Sequence, residues 1–311
     1  MLESILLVLI GFALLYFGAG WLIKGASSLA IGMGISKLVV GLTLVAMGTS
    51  SPELFVNITA ALKGNIALAL SNVSGSNLTN ILVGFGLCAL VGSVALTPAK
   101  FRIDLLYVAA TPLLVLGFFL FTANESLPLW AIAPLIIMIV VYGFSLYHRP
   151  APEEKIESGL SVLKATGLFL VGAALLYAGG EFVVSSAITL GKGWGLSDAV
   201  IGLTIVAFGT SIPDVMTSVI AVKRGENSLA VGNLLGSNIS NVLLVLGGTL
   251  VAARSGLPSN GAIQMDYAMV CLISIVLLGA AYMWKALPKV LGGLFLVIYL
   301  SYMIFRLFDM G

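Results

Sequence analysis

Two carboxylates, Glu53 and Asp214, stand in stretches that otherwise hold what a hydrocarbon solvent tolerates. Glu53 closes the segment VVGLTLVAMGTSSPE (39–53) and Asp214 closes VIGLTIVAFGTSIPD (200–214). An aspartate at the centre of a membrane helix costs at least about 2.5–3.5 kcal/mol by insertion scales, so such residues persist where they bind something. Neither segment carries a Lys or Arg to neutralise its acid. The simplest missing positive charge is a cation in passage.

The neighbouring residues suit a hard cation. Pro52 and Pro213 lack an N–H and crowd the carbonyl one turn back, so the carbonyls of Gly48 and Thr49, and of Gly209 and Thr210, are expected to lose their ordinary helical partners. Gly48 and Gly209 weaken each helix further. Such breaks are tolerated at membrane depth when they line a protein cavity. Thr49, Ser50, Thr210 and Ser211 add hydroxyl oxygens. Ca²⁺ takes six to eight oxygens at about 2.3–2.6 Å, carboxylate and carbonyl alike, while Na⁺ takes fewer and accepts neutral ones. A soft metal is not served: the single histidine, His148, lies in a polar linker, and Cys88 and Cys271 sit far apart in apolar runs as buried thiols.

A second pair of motifs, SNVSGSNLTN (71–80) and GNLLGSNISN (232–241), supplies more oxygen. Asn72, Ser76 and Asn80 are spaced i, i+4, i+8 and share one helix face, as do Asn233, Ser237 and Asn241. Gly75 and Gly236 permit close helix approach. Ser76, Asn80, Ser237 and Asn241 are expected to contact the ion. Asn72 and Asn233 read equally well as hydrogen-bonding glue between helices. Glu181 reads as an interfacial carboxylate, and Asp104 and Asp266 as helix starts near headgroup level.

The elements that must carry these residues are membrane helices. Of 311 residues, 59% are hydrophobic and 9% charged, with a mean hydropathy of +1.13; this is an all-α, polytopic membrane protein in a lipid bilayer. The net charge of +2 gives no footing for nucleic acid. The first residues, MLESILLVLIGFALLYFGAG, lack the basic region and cleavage site of a signal peptide and read as the first span. Ten spans are expected, near 3–23, 38–62, 66–92, 104–122, 127–147, 161–183, 198–222, 228–251, 266–284 and 289–307.

The chain also repeats itself. Residues 16–85 slide onto 177–246 without a gap, with about 27 of the 70 pairs identical. The expected organisation is a first five-helix repeat, 1–147, a linker, 148–160, and a second five-helix repeat, 161–311. Five is odd, so the second half enters from the opposite side, and the halves are related by inversion about an axis in the membrane plane. That pattern belongs to secondary transporters. Lys and Arg placement orients the chain: with both termini outside, eleven basic residues, among them Lys24, Lys100, Lys155 and Lys223, face the cytoplasm. Four, Lys63, Lys192, Arg254 and Arg306, face out.

The paired GTSSPE/GTSIPD and GSNLTN/GSNISN segments resemble the α-repeats of the cation/Ca²⁺ antiporter superfamily, most of all those of prokaryotic Na⁺/Ca²⁺ exchangers. The resemblance covers essentially the whole chain. It implies an antiporter, not an enzyme, that exchanges Na⁺ for Ca²⁺ across the plasma membrane, extrudes Ca²⁺, works as a monomer and needs no cofactor beyond its transported ions. By resemblance Glu53 and Asp214 bind Ca²⁺ with the main-chain oxygens of Thr49 and Thr210. Ala46, Ser50 and Ser76 help form one Na⁺ site, Ala207, Ser211 and Ser237 its mirror, and Asn80 and Asn241 occupy the centre. Spans one and six act as a sliding gate. Two residues depart from common family patterns. Asp214 is shorter than the usual Glu. Asn241 replaces an Asp found in K⁺-dependent relatives, which implies K⁺ independence. The rival readings are an H⁺- or other cation-coupled antiporter on the same fold, a passive channel and a non-transporting scaffold.

Overall fold

The computed structural model describes residues 2–122, 126–149, 160–193, 207–284 and 286–309. Nearly all of them are helical. Among them, eight helices are long and apolar enough to cross a membrane, and one bent run brings the total to as many as nine. The sequence expects ten; the remaining one, 198–222, is described only from Ala207.

Helix α1 (Leu2–Met33) is the first span, and it outruns the expected end at 23 because Lys24 does not stop it. It is bent onto the following run through Gly34, whose φ of 64° suits a residue without a side chain. That run consists of α2 (Lys37–Val40), a π-helical turn (Gly41–Val45), α3 (Ala46–Thr49) and α4 (Ser51–Leu62). It breaks at Ser50 (φ −89°, ψ 7°), with a bend of 46°. Pro52 then sits in the first turn of α4, where a missing N–H costs nothing. Helix α5 (Ile66–Leu78) passes through a π-helical segment (Thr79–Phe85) into α6 (Gly86–Val91), and α7 (Pro98–Phe121) and α8 (Ile132–Tyr147) complete the first half.

The second half repeats the pattern. Helix α9 (Val162–Gly193) is followed by α10 (Ala207–Thr210), a break at Ser211 (φ −88°, ψ −3°) and α11 (Ile212–Lys223), again with a proline in its first turn. Helix α12 (Asn227–Ser240) passes through a π-helical segment (Asn241–Leu246) into α13 (Gly247–Ala253); α14 (Gly261–Met283) and α15 (Lys289–Asp309) follow.

Helices α5 and α12 with their π segments form the buried centre. The glycine pair Gly232 and Gly236 lets α12 close on the first broken run: a methyl at Gly236 would stand 2.6 Å from the Leu42 carbonyl oxygen. Helices α1 and α9 lie along one another through glycines seven residues apart, Gly11, Gly18 and Gly25 against Gly172 and Gly179. A methyl at Gly18 would come within 2.9 Å of the Gly172 carbonyl. The outer face of α1 presents Ile5, Leu9, Phe12 and Phe17, as a surface in contact with lipid must.

Two short backbone contacts join the halves crosswise. Ser126–Leu127 (β1) pairs antiparallel with Leu257–Pro258 (β2). Elsewhere Ala95 bridges Ala286, and Leu287 N–H donates to the Val94 carbonyl at 3.0 Å.

One expectation is corrected. Helix α7 begins at Pro98 and α14 at Gly261, so Asp104 and Asp266 lie beyond the first turn, buried, and start neither helix. Each is held by a distant arginine and tyrosine: Asp104 by Arg149 (2.7 Å) and the Tyr142 hydroxyl (2.8 Å), Asp266 by Arg306 (2.9 Å) and the Tyr302 hydroxyl (2.6 Å). A buried carboxylate is retained when it is paired and hydrogen-bonded. Glu181 lies on the exposed surface of α9.

Candidate cation site

Each broken run delivers its hydroxyls to the other half's acid. Asp214, in the first turn of α11 and fully buried, accepts from Asn80 Nδ2 (2.9 Å) and, more distantly, from Ser50 Oγ (3.5 Å) on Oδ2. It accepts from Ser237 Oγ on Oδ1 (3.0 Å). Glu53, in the first turn of α4 and 1% exposed, accepts from Ser211 Oγ on Oε1 (3.1 Å), with the Thr210 hydroxyl a second partner. Its Oε2 has no hydrogen-bond partner.

Eleven of the twelve residues expected from the sequence can be located with their side chains. Glu53, Asp214, Thr49, Thr210, Ser50, Ser211, Ser237 and Asn80 form the direct network around the two acids. Ser76 and Asn241 are buried within the same two motif helices, α5 and the π segment after α12, but touch neither acid through a hydrogen bond. Ala46 is buried, and its carbonyl accepts the Ser50 N–H at 2.9 Å. Ala207 opens α10, but its side chain falls outside the described residues.

Asn72 and Asn233 turn out to bind protein. Asn233 Nδ2 donates to the Asp214 carbonyl (3.1 Å) and to Ser218 Oγ (2.9 Å), and its Oδ1 lies 3.0 Å from the Thr49 hydroxyl. Asn72 Nδ2 donates to Asn57 Oδ1 (2.6 Å), and its Oδ1 lies 3.3 Å from the Thr210 hydroxyl. Each therefore ties its own half to the broken run of the other.

Sequence reasoning missed three participants. Asn57, four residues after Glu53, bonds Asn72, the Ala69 carbonyl (2.9 Å) and Thr249 (3.2 Å); its i+4 spacing from the acid was the available signal. Thr249 gave none. Asn77 stands inside the GSN motif, yet only the fold shows that its Oδ1 receives Asn241 Nδ2 at 3.1 Å.

Among the described residues, four site oxygens are buried with no hydrogen-bond partner: Glu53 Oε2, Ser76 Oγ, Asn80 Oδ1 and Asn241 Oδ1. Buried polar atoms are nearly always partnered, and each exception calls for an explanation. Among the described residues no group of three or more His, Cys, Asp and Glu converges. The donor set is instead two carboxylates and neutral oxygens, the ligands of a hard, dehydrated cation.

Comparison with known proteins gives a consistent picture. The family model described as sodium/calcium exchanger protein matches residues 3–149 and 164–308. The putative antiporter CaxA of Alkalimonas amylolytica is 34% identical over 97% of this chain and 98% of its own. The sodium/calcium exchanger MaX1 of Methanosarcina acetivorans is 29% identical over 78% of this chain and 81% of its own. A solved structure of the sodium-calcium exchanger NCX_Mj, soaked with 2.5 mM Na⁺ and 0.1 mM Ca²⁺, superposes with a TM-score of 0.83 at 26% identity, covering 98% of both chains.

Proposed function

The chain belongs to the sodium/calcium exchanger protein family, and from that premise we propose that it carries Na⁺ inward and Ca²⁺ outward through one shared site. It is a multi-pass membrane antiporter of the cation/Ca²⁺ class. The Na⁺ coupling, the direction and the ligands are our reading.

The observation that carries this reading is a pair of buried acids with no lysine or arginine partner among the described residues, on helices whose motifs also leave Ser76 Oγ, Asn80 Oδ1 and Asn241 Oδ1, like Glu53 Oε2, without a hydrogen-bond partner there. Two carboxylates at membrane depth cannot cross uncompensated, so the site moves only when cations neutralise it. Glu53 and Asp214 provide the charge for Ca²⁺, with the main-chain oxygens of Thr49 and Thr210. Ser50, Ser76 and Ala46, and Ser211, Ser237 and Ala207, serve the flanking Na⁺ positions; Asn80 and Asn241 lie between. Occupancy biases inward-open against outward-open states, and α1 and α9, locked together through their facing glycines, are the pair that slides as one gate against the rest of the helices.

The halves are read as inverted, ten spans in all, with both termini outside and a cytoplasmic linker. The crosswise loop contacts support the inversion. The connection after α6 meets the one after α14, and that after α7 meets the one after α13, as an in-plane two-fold requires.

The test is ⁴⁵Ca²⁺ uptake into proteoliposomes loaded with Na⁺, compared with K⁺ or choline loading and with an imposed pH gradient. Uptake is expected with Na⁺ and not with K⁺, choline or the pH gradient. If three or more Na⁺ move per Ca²⁺, uptake also responds to a valinomycin-set potential, since one net charge is worth about 2.3 kcal/mol per 100 mV. Equal uptake under the pH gradient overturns Na⁺ coupling in favour of H⁺.

A further inference from the structure

A groove of about 410 Å³ opens at the linker end of the α1–α9 pair. Its walls include Trp21 and Lys24 of α1 and Lys164, Gly167, Leu168 and Val171 of α9. The α9 residues fall at i, i+3, i+4 and i+7, one face of the helix. Trp21, Val171 and both lysines are exposed. Neither Lys24 nor Lys164 makes an ion pair or hydrogen bond among the described residues, whereas Lys37 of the same chain end pairs with Glu226 at 2.9 Å. The groove is also graded. The helices run antiparallel, with Gly18 against Gly172 and Gly25 against Ala165. Lys164 therefore lies toward the end of the pair, Lys24 next, and Trp21 and Val171 deepest.

We propose that this groove binds one anionic phospholipid, its phosphate between Lys24 and Lys164 and an acyl chain along Trp21, Leu168 and Val171. Charge complementarity selects the headgroup. Lysines snorkel to the interface while their stems cover apolar surface, and a tryptophan sits well at that depth. The grading from cationic to apolar matches a phospholipid and matches neither a free phosphate nor a peptide. The floor of the groove is Gly167, where an added methyl would meet nothing within 4 Å. The glycine is thus not needed for helix packing, and the space above it is open.

The experiment is native mass spectrometry of the whole purified chain, titrated with phosphatidylglycerol or phosphatidylcholine. Thermal unfolding of each variant is followed in parallel. The proposal expects preferential retention of phosphatidylglycerol. At about 1 kcal/mol per basic residue near an anionic surface, Lys24→Gln with Lys164→Gln should lower that retention about thirtyfold, the equivalent of about 2 kcal/mol. Lys63→Gln, an exposed lysine elsewhere, should leave it unchanged. Gly167→Trp fills the groove without touching a packed surface, so retention should fall with thermal stability preserved. Unchanged retention in the double variant or in Gly167→Trp overturns the proposal. So does retention in the wild type that rises once Glu153, Glu154 and Glu157 are neutralised, which would mean that the chain's own linker is the occupant. The measurement does not depend on transport.

Discussion

Asp214 and Glu53 occupy equivalent positions in the two halves, yet they live differently. Three donors converge on Asp214: Ser50, Asn80 and Ser237. The equivalent of the first, Ser211, reaches Glu53. The equivalents of the others do not: Ser76 Oγ is unpartnered, and the Asn241 amide has turned to Asn77. Both oxygens of one acid are satisfied by protein, while the other keeps its Oε2 without a hydrogen-bond partner among the described residues. An unpaired buried polar group costs about 1–3 kcal/mol. An arriving cation therefore meets a ready carboxylate oxygen at Glu53, whereas at Asp214 it must compete with donors already in place.

The harshest way to break this comparison is to neutralise each acid. Glu53→Gln and Asp214→Asn both remove half the negative charge, and loss of one partner from a buried ionic contact costs about 3–5 kcal/mol. Both variants should lose ⁴⁵Ca²⁺ exchange by at least about a hundredfold while still purifying as folded protein. Near-normal exchange by either would end the site assignment.

Next come the places where the halves agree. Asp104 with Arg149 and Tyr142, and Asp266 with Arg306 and Tyr302, are matched clasps between α7 and the end of α8, and between α14 and α15. Arg149→Ala and Arg306→Ala should each destabilise by about 3–5 kcal/mol by leaving a buried carboxylate behind, read as loss of melting temperature in detergent. A large loss at one and none at the other would show that the outer clasps share the inner asymmetry.

The asparagines sharpen the comparison further. Asn80 donates to Asp214 at 2.9 Å, whereas Asn241 faces another asparagine. Two like charges about 4 Å apart interact with up to about 4 kcal/mol at an effective dielectric near 20. Asn80→Asp should therefore destabilise the ion-free protein by up to that amount, with Ca²⁺ restoring much of it. Asn241→Asp should cost less, because its neighbour is neutral. Equal losses in ion-free melting would mean that the two central asparagines are interchangeable.

Much of this was legible in the sequence because the chemistry is costly. A carboxylate followed at fixed distance by serines and asparagines, twice, cannot be lipid-facing decoration, so Glu53, Asp214 and their hydroxyl neighbours stood out. What hid was what depends on distance along the chain. Arg149 lies 45 residues from Asp104 and Arg306 lies 40 from Asp266, so each acid looked like a helix start. The π-helical turns at Gly41–Val45, Thr79–Phe85 and Asn241–Leu246 leave no mark in composition, yet two of them begin at or beside the central asparagines. Asn77 stands on α5 of one half and Asn241 on the other half, so only the fold shows that their side chains meet.

The finest test uses two serines that the repeat makes equivalent. Ser237 Oγ donates to Asp214 Oδ1 at 3.0 Å, and Ser76 Oγ is buried with no partner. In ion-free buffer Ser237→Ala removes a hydrogen bond to a buried charge, a loss of about 1.5–3 kcal/mol. Ser76→Ala removes nothing that the ion-free protein uses and should stay within about 0.5 kcal/mol. Cations reverse the ranking. A ligand stabilises the folded state by RT ln(1 + [L]/Kd), so a variant that has lost a cation ligand shows a smaller rise in melting temperature when ions are added. Ser76→Ala should therefore show the blunted response to Na⁺ or Ca²⁺, with apparent affinity lowered about tenfold, or about 1.4 kcal/mol. Ser237→Ala should start lower and lose less of its ion response than Ser76→Ala, because a cation gains the Ser237 oxygen only after displacing its donation to Asp214. If both serines cost the same without ions and blunt the response equally, the difference between the two acids is not one that the protein uses.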